Sequence, residues 1–221
     1  MGSKEFIGRF DKLKRELEDE LADADIFLAF GAKELEEKIN KTRNYKKTVA
    51  VSLLLFSSSK ELLSSQSVRN NIFFTPAIFE KAANFKKVLD EIYEKISEKN
   101  VTNLFVFHGS NSKDIDFSFF QKEIDGLDGN NFLCTIKGEL SFFKIQKELE
   151  SEFFEGKKIQ IIPMFLASFN HYNNEIMEIK NRLKRFDASM ASALYGDKEF
   201  NLLELKSVQA VIRNNISAVL F

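Results

Sequence analysis

Two residues offer chemistry that the rest of the chain does not: His108 and His171, the only histidines among 221 residues. His108 closes the apolar run Leu104-Phe-Val-Phe-His108, and His171 follows Pro163-Met-Phe-Leu-Ala-Ser-Phe-Asn170. Neutral imidazole binds divalent metals and carries protons near neutral pH, so a convergent pair would suit either task. Each histidine could instead cap its strand by hydrogen bonding, and residue type alone leaves both readings open. Cys134, inside Phe132-Leu-Cys-Thr135, reads as a small buried hydrophobe. No Walker pattern and no Gly-x-Gly-x-x-Gly is present, which argues against nucleotide hydrolysis and dinucleotide redox chemistry. No serine nucleophile elbow appears either.

The elements that must position the histidines are legible in the hydrophobic pattern. Phe6, Phe10, Leu13, Leu17 and Leu21 recur every three or four residues, which predicts an amphipathic helix over Lys4–Ala22. A strand is expected at Asp25–Phe30, a helix around Leu35 and Ile39, and a further strand at Thr48–Phe56. The Ser-rich stretch from Ser57 to Ser67 fits a mobile loop or a short helix. Asn71–Phe74 then leads through Pro76 into a long helix carrying Phe79, Ala82, Phe85, Leu89, Ile92 and Ile96.

The second half alternates more clearly. Strands are predicted at Asn103–Phe107, Phe132–Ile136, Ile159–Phe165 and Ala188–Leu194. Helices are predicted at Phe117–Ile124, Ser141–Phe154, Glu175–Phe186 and Leu202–Ile216. Continuous apolar strands between amphipathic helices imply an α/β fold with a parallel sheet covered on both faces, whose sites form at the carboxyl ends of the strands. Both histidines fall at or just beyond such ends.

Composition narrows the partners. Lysine plus arginine number 32 against 33 acidic residues, so a net charge of -1 gives no electrostatic footprint for nucleic acid or an anionic membrane. No apolar stretch approaches the roughly 20 residues of a membrane-spanning helix. A lone cysteine and no signal-like start point to a cytoplasmic protein. Met1-Gly2-Ser3 has the look of a cloning remnant, which leaves the natural N-terminus open.

Three segments in order resemble those of a known family. Asn103-Leu-Phe-Val-Phe-His-Gly-Ser110 resembles the strand-then-His-Gly-Ser/Thr signature of the class II, ATP-independent tetrapyrrole chelatases, closest to the anaerobic sirohydrochlorin cobaltochelatases. Phe132-Leu-Cys-Thr-Ile-Lys-Gly-Glu-Leu-Ser141 is similar to that family's Gly-Thr-Val-Glu-Gly-Tyr-Pro-Ser stretch. Ile161-Ile-Pro-Met-Phe-Leu-Ala-Ser-Phe-Asn-His-Tyr-Asn-Asn-Glu175 is similar to its Pro-Met-Leu-Val-Ala-Gly-Asp-His-Ala-x-Asn-Asp stretch. Order and spacing match over about residues 48–221.

The resemblance implies two flavodoxin-like parallel-sheet halves with helices on both faces, residues 1–100 and 101–221, the N-terminal half lacking its first strand. It implies metal ligation by His108 and His171, with Glu175 at the following acidic position. The family's glutamate is replaced by Lys137, a cation that would repel a metal. Glu139, two residues on, would face the same side of a regular strand and could substitute. Phe165 and Phe169 could wall an apolar cleft for the flat macrocycle.

The implied function is ATP-independent insertion of a divalent metal, cobalt first and nickel or iron as other possibilities, into a sirohydrochlorin-like tetrapyrrole, a step of the kind used in cobalamin biosynthesis. The alternative is a non-catalytic haem- or tetrapyrrole-binding protein on the same fold, with Lys137 pairing a macrocycle carboxylate; a relic with no ligand is the third. The missing first strand would leave a gap in the N-terminal sheet, closed by direct pairing of Asp25–Phe30 with Thr48–Phe56 or by a homodimer.

Overall fold

The computed structural model describes residues 2–27, 32–42, 44–51, 53, 55, 72–98, 100–109, 115–152, 158–166, 172–194 and 200–220. Among them no helix is long and apolar enough to cross a membrane. The chain forms two compact units. The first takes residues 1–52, 57–76 and 213–221, and the second takes residues 53–56 and 77–212.

In the first unit, helix α1 (Gly2–Glu20) buries the stripe Phe10, Leu13 and Leu17, and α2 (Ala32–Lys41) buries Ile39. Strands β1 (Thr48–Ala50) and β2 (Ile72–Phe74) pair in parallel, Thr48 opposite Ile72. The sheet partner of the Thr48 strand is thus β2. The strand expected at Asp25–Phe30 is not seen where it is described: residues 25–27 have no regular structure, Phe27 is 45% exposed, and residues 28–30 lie outside the described set. Three residues with Asp at their head lack the buried apolar run that holds a strand in a parallel sheet. Residues Ser57–Ser67 also lie outside the described set.

The second unit is built on a four-stranded parallel sheet of order β4-β3-β5-β6, from β3 (Thr102–Gly109), β4 (Asn130–Lys137), β5 (Ile159–Pro163) and β6 (Ala188–Met190). Side chains alternate between faces along each strand. Leu104, Val106, Cys134, Ile136, Ile159 and Ile161 form one core with Phe142 and Leu149 of α5 (Phe142–Glu152) and Ile179 of α6 (Met177–Arg182). Phe107 faces the other way. It meets Phe85 of α3 (Ala82–Lys95) and Phe120 of α4 (Ser118–Asp125), with ring centroids 6.3 and 6.0 Å away. This aromatic packing makes α3 part of the second unit.

At the N-terminal ends of these strands, Asn131, Asn103 and Gln160 share one register row and are all buried. Asn103 Nδ2 donates to Asn131 Oδ1 at 3.0 Å, and Asn131 Nδ2 donates to the Asp128 carbonyl at 3.0 Å. Gln160 Nε2 donates to the Ile96 carbonyl, and its Oε1 accepts the Glu98 N–H, both at 3.0 Å.

The last helix, α7 (Lys206–Leu220), is capped from another helix. Glu91 of α3 accepts the N–H groups of Lys206 and Ser207 at 3.2 and 2.7 Å and pairs with Lys95 at 2.6 Å. Helix N-termini carry unsatisfied donors and partial positive charge, so a carboxylate fits there. Burial alone would raise the Glu91 pKa, but the bonds from Lys95, Ser207 and Lys206 override it and lower it from 4.5 to about 2.

At the opposite ends of the strands, Gly109 is paired with Lys137 and has φ of 72°. A Cβ placed there would lie 2.1 Å from the Lys137 carbonyl oxygen and 2.7 Å from Thr135 Cβ. Only glycine fits, for both conformation and space.

Two outcomes follow. A carboxylate whose folded pKa is lowered stabilises fully above its unfolded value and ceases to do so as pH falls through the folded one. Urea titrations should therefore show Glu91 stabilisation complete above about pH 4.5 and gone near about pH 2. Glu91→Gln should cost about 1 kcal/mol at neutral pH and flatten that acid slope. Gly109→Ala should destabilise the protein by about 3 kcal/mol or more, combining left-handed strain with overpacking, read as a lower urea midpoint.

Candidate functional site

The strand order places the candidate site. From β3 the chain crosses to β4 on one side and then returns to β5 on the other, so the order reverses at β3. The connecting helices α4 and α5 consequently cover opposite faces, and such a reversal opens a crevice at the carboxyl ends of the strands. His108 stands there, next to last in β3. Its ring is half-buried, its Nε2 is shielded from solvent, and its Nδ1 lies 3.0 Å from the Gly109 carbonyl oxygen.

Strand β5 runs on beside this residue. The Met164 N–H donates to the Val106 carbonyl at 2.8 Å, so the segment that leads toward His171 departs from alongside His108. His171 and Phe169 lie outside the described residues. Among the described residues, no three His, Cys, Asp or Glu side chains come together in a way that could hold a metal ion.

Alternation sorts the remaining candidates. His108 belongs to the Leu104–Val106 face of the sheet, whereas Gly109, and with it the register partner Lys137, belongs to the Phe105–Phe107 face. Lys137 is exposed and occupies the face opposite His108. Glu139 does not share a strand with it: β4 ends at Lys137, and Gly138 has φ of 103°, which a continuing strand cannot contain. Glu139 is an exposed turn residue, so counting residues in twos does not fix its face. Glu175 is half-buried in the wide helical turn Tyr172–Ile176 that leads into α6.

Phe165 follows β5 and is 7% exposed, its ring packed in the core with Val106 and Ile176 and its carbonyl accepting the Leu202 N–H at 2.9 Å. Core packing, not a cleft wall, is what this ring supplies. Cys134 is fully buried, and burial pushes its thiol pKa up, which removes it from thiolate chemistry.

Two residues that the apolar pattern does not single out, Thr135 and Ser141, brace the strand ends. Thr135 Oγ1 donates to the Lys137 carbonyl and Ser141 Oγ to the Ile136 carbonyl, both at 2.8 Å. The Thr135 N–H donates to the Leu140 carbonyl at 2.9 Å. The available signal was two hydroxyl residues flanking a lone glycine at the end of an apolar run.

Neither a protein-family model nor a curated protein matches the sequence. Four chains of solved structures do match. One is SirB from Bacillus subtilis with Fe3+, at a TM-score of 0.59 and 15% sequence identity, covering 87% of this chain and 78% of that one. Likeness at such identity is a statement about architecture, since one fold hosts many functions. The chain has the chelatase-like α/β fold, with two parallel sheets and helices packed around them.

Proposed function

We propose that this protein inserts a divalent metal ion into a tetrapyrrole without ATP. The observation that carries the reading is the place of His108, at the carboxyl end of the strand where the sheet order reverses, in a fold shared with SirB. Insertion requires the metal to shed water while two pyrrole N–H groups lose protons, so the site needs a ligand that delivers the ion and a base that accepts protons. His108 and His171 serve as the ligands, with Glu175 at the acidic position after His171 in the sequence and Glu139 in the turn after β4 as the carboxylates. Cobalt is the leading metal, ahead of nickel or iron, and a sirohydrochlorin-like macrocycle is the substrate.

Lys137, exposed on the other face at the same strand ends, is available to the carboxylates of the macrocycle rather than to the metal, with Phe169 offered to its ring. The same observation supports a second reading, in which the site holds a finished metallated tetrapyrrole such as haem through a histidine and Lys137 without catalysing insertion. A cytoplasmic location is in keeping with one buried free cysteine. A homodimer belongs to the same reading, in which a second copy covers an edge of the short β1–β2 sheet.

The absorption spectrum of purified protein, mixed with sirohydrochlorin and Co2+ or separately with haem, tests the reading. Insertion faster than the spontaneous rate is expected, with His108→Ala or His171→Ala lowering it at least about tenfold, the usual scale for loss of a ligand or base. No acceleration, together with haem binding, would favour the second reading. Lys137→Glu should leave Co2+ affinity unchanged and weaken tetrapyrrole binding about fivefold, as reversal of one exposed charge allows. A stronger Co2+ affinity in that variant would return Lys137 to the metal site. Light scattering at micromolar concentration should give twice the chain mass; a monomeric mass would remove the dimer.

A further inference from the structure

We propose that the Gly109 carbonyl fixes His108 in its Nδ1–H tautomer and thereby reserves Nε2 for the substrate metal or for a proton released on insertion. The identity of the ligand rests on the function proposed above, whereas the tautomer rests on geometry alone. Nδ1 lies 3.0 Å from the Gly109 oxygen. A carbonyl oxygen can only accept, so a neutral ring must carry its hydrogen on Nδ1 and keep its lone pair on Nε2. Bonding of this kind from the second ring nitrogen orients metal-binding histidines and raises their basicity.

The carbonyl is held where it is by the features that close the ends of β3 and β4. In a continuing strand a carbonyl lies in the plane of the sheet, while the neighbouring side chain stands perpendicular to it. The left-handed backbone of Gly109, at φ of 72°, breaks that pattern directly after His108. The glycine cannot relax by gaining a side chain, because the Lys137 carbonyl and Thr135 Cβ occupy that space. Thr135 Oγ1, donating to the same Lys137 carbonyl at 2.8 Å, pins the surface against which Gly109 rests. Gly109 is in this sense a positioning residue, acting through the imidazole. The His-Gly pair then carries a chemical meaning beyond a turn, since the residue that ends the strand also selects which nitrogen can bind.

Nitrogen-15 NMR of the full-length protein tests this directly, through two-bond correlations of the imidazole nitrogens in metal-free protein at mildly alkaline pH. With only two histidines in the chain, His171→Ala identifies the His108 signals. The expected result is a pyrrole-type shift for Nδ1 and a pyridine-type shift for Nε2. Adding Zn2+ to the unsubstituted protein should then move the Nε2 resonance while Nδ1 keeps its hydrogen. An Nε2–H tautomer, or two averaged nitrogens, would overturn the lock even if metal insertion stands. A locked Nδ1–H ring whose Nε2 ignores both Zn2+ and Co2+ would overturn the assignment of Nε2 to the metal, and with it the chelatase reading.

Discussion

Strand β3 is hydrogen-bonded to β4 along one edge and to β5 along the other, and it is packed by helices on both faces. A strand so enclosed has no surface on which to carry a polar residue without a partner. Leu104, Phe105, Val106 and Phe107 meet that demand and are completely buried. Polar side chains are confined to the two ends, where loops and helix termini supply partners. His108 at one end and Asn103 near the other are thus placed by the same rule. Connections leave β3 in opposite directions beyond His108, while the Asn103 end is closed by the Leu127–Asp128 turn and the end of α3.

Burial decides which parts of this architecture are legible in the sequence. Continuous apolar runs locate β3, β4 and β5 within a few residues, because burial on both faces admits almost nothing else. His108 is placed at the end of its strand for the same reason. Residue parity does not carry as far as Glu139, because it holds only while a strand continues, and Gly138 at φ of 103° ends it. Lys137 is in the strand, but its face relative to His108 depends on the pairing of Gly109 with Lys137, a register between segments almost thirty residues apart that no local pattern encodes. Phe165 reads as an aromatic near the site and sits instead in the core, since an apolar residue leaving a parallel strand can still be covered by the next helix. The segment Asp25–Phe27 has enough apolar character for a strand only if Phe27 is buried, and it is not.

Glu91 and Gly109 illustrate two kinds of fixed geometry in one unit. The carboxylate ties α3 to the start of α7 through charge and two backbone donors, an attachment that titrates with acid. The glycine ties the end of β3 to the end of β4 through shape, and no change of pH releases it. The proposed exchange of metal and protons would be served by the second kind, whose geometry does not respond to protonation.

The row formed by Asn131, Asn103 and Gln160 has a consequence for how the sheet can vary over evolutionary time. Slipping any one of these strands by a residue would turn its amide toward the apolar helices on the other face and strand the partners it leaves, at about 1–3 kcal/mol for each orphaned group. Register is therefore decided at the closed end of the sheet. Loops at the open end can lengthen, shorten or exchange residues without loosening the alignment of the strands beneath them. Residues at that end can change without unsettling the sheet, because the device that keeps the strands in step lies a full strand length away.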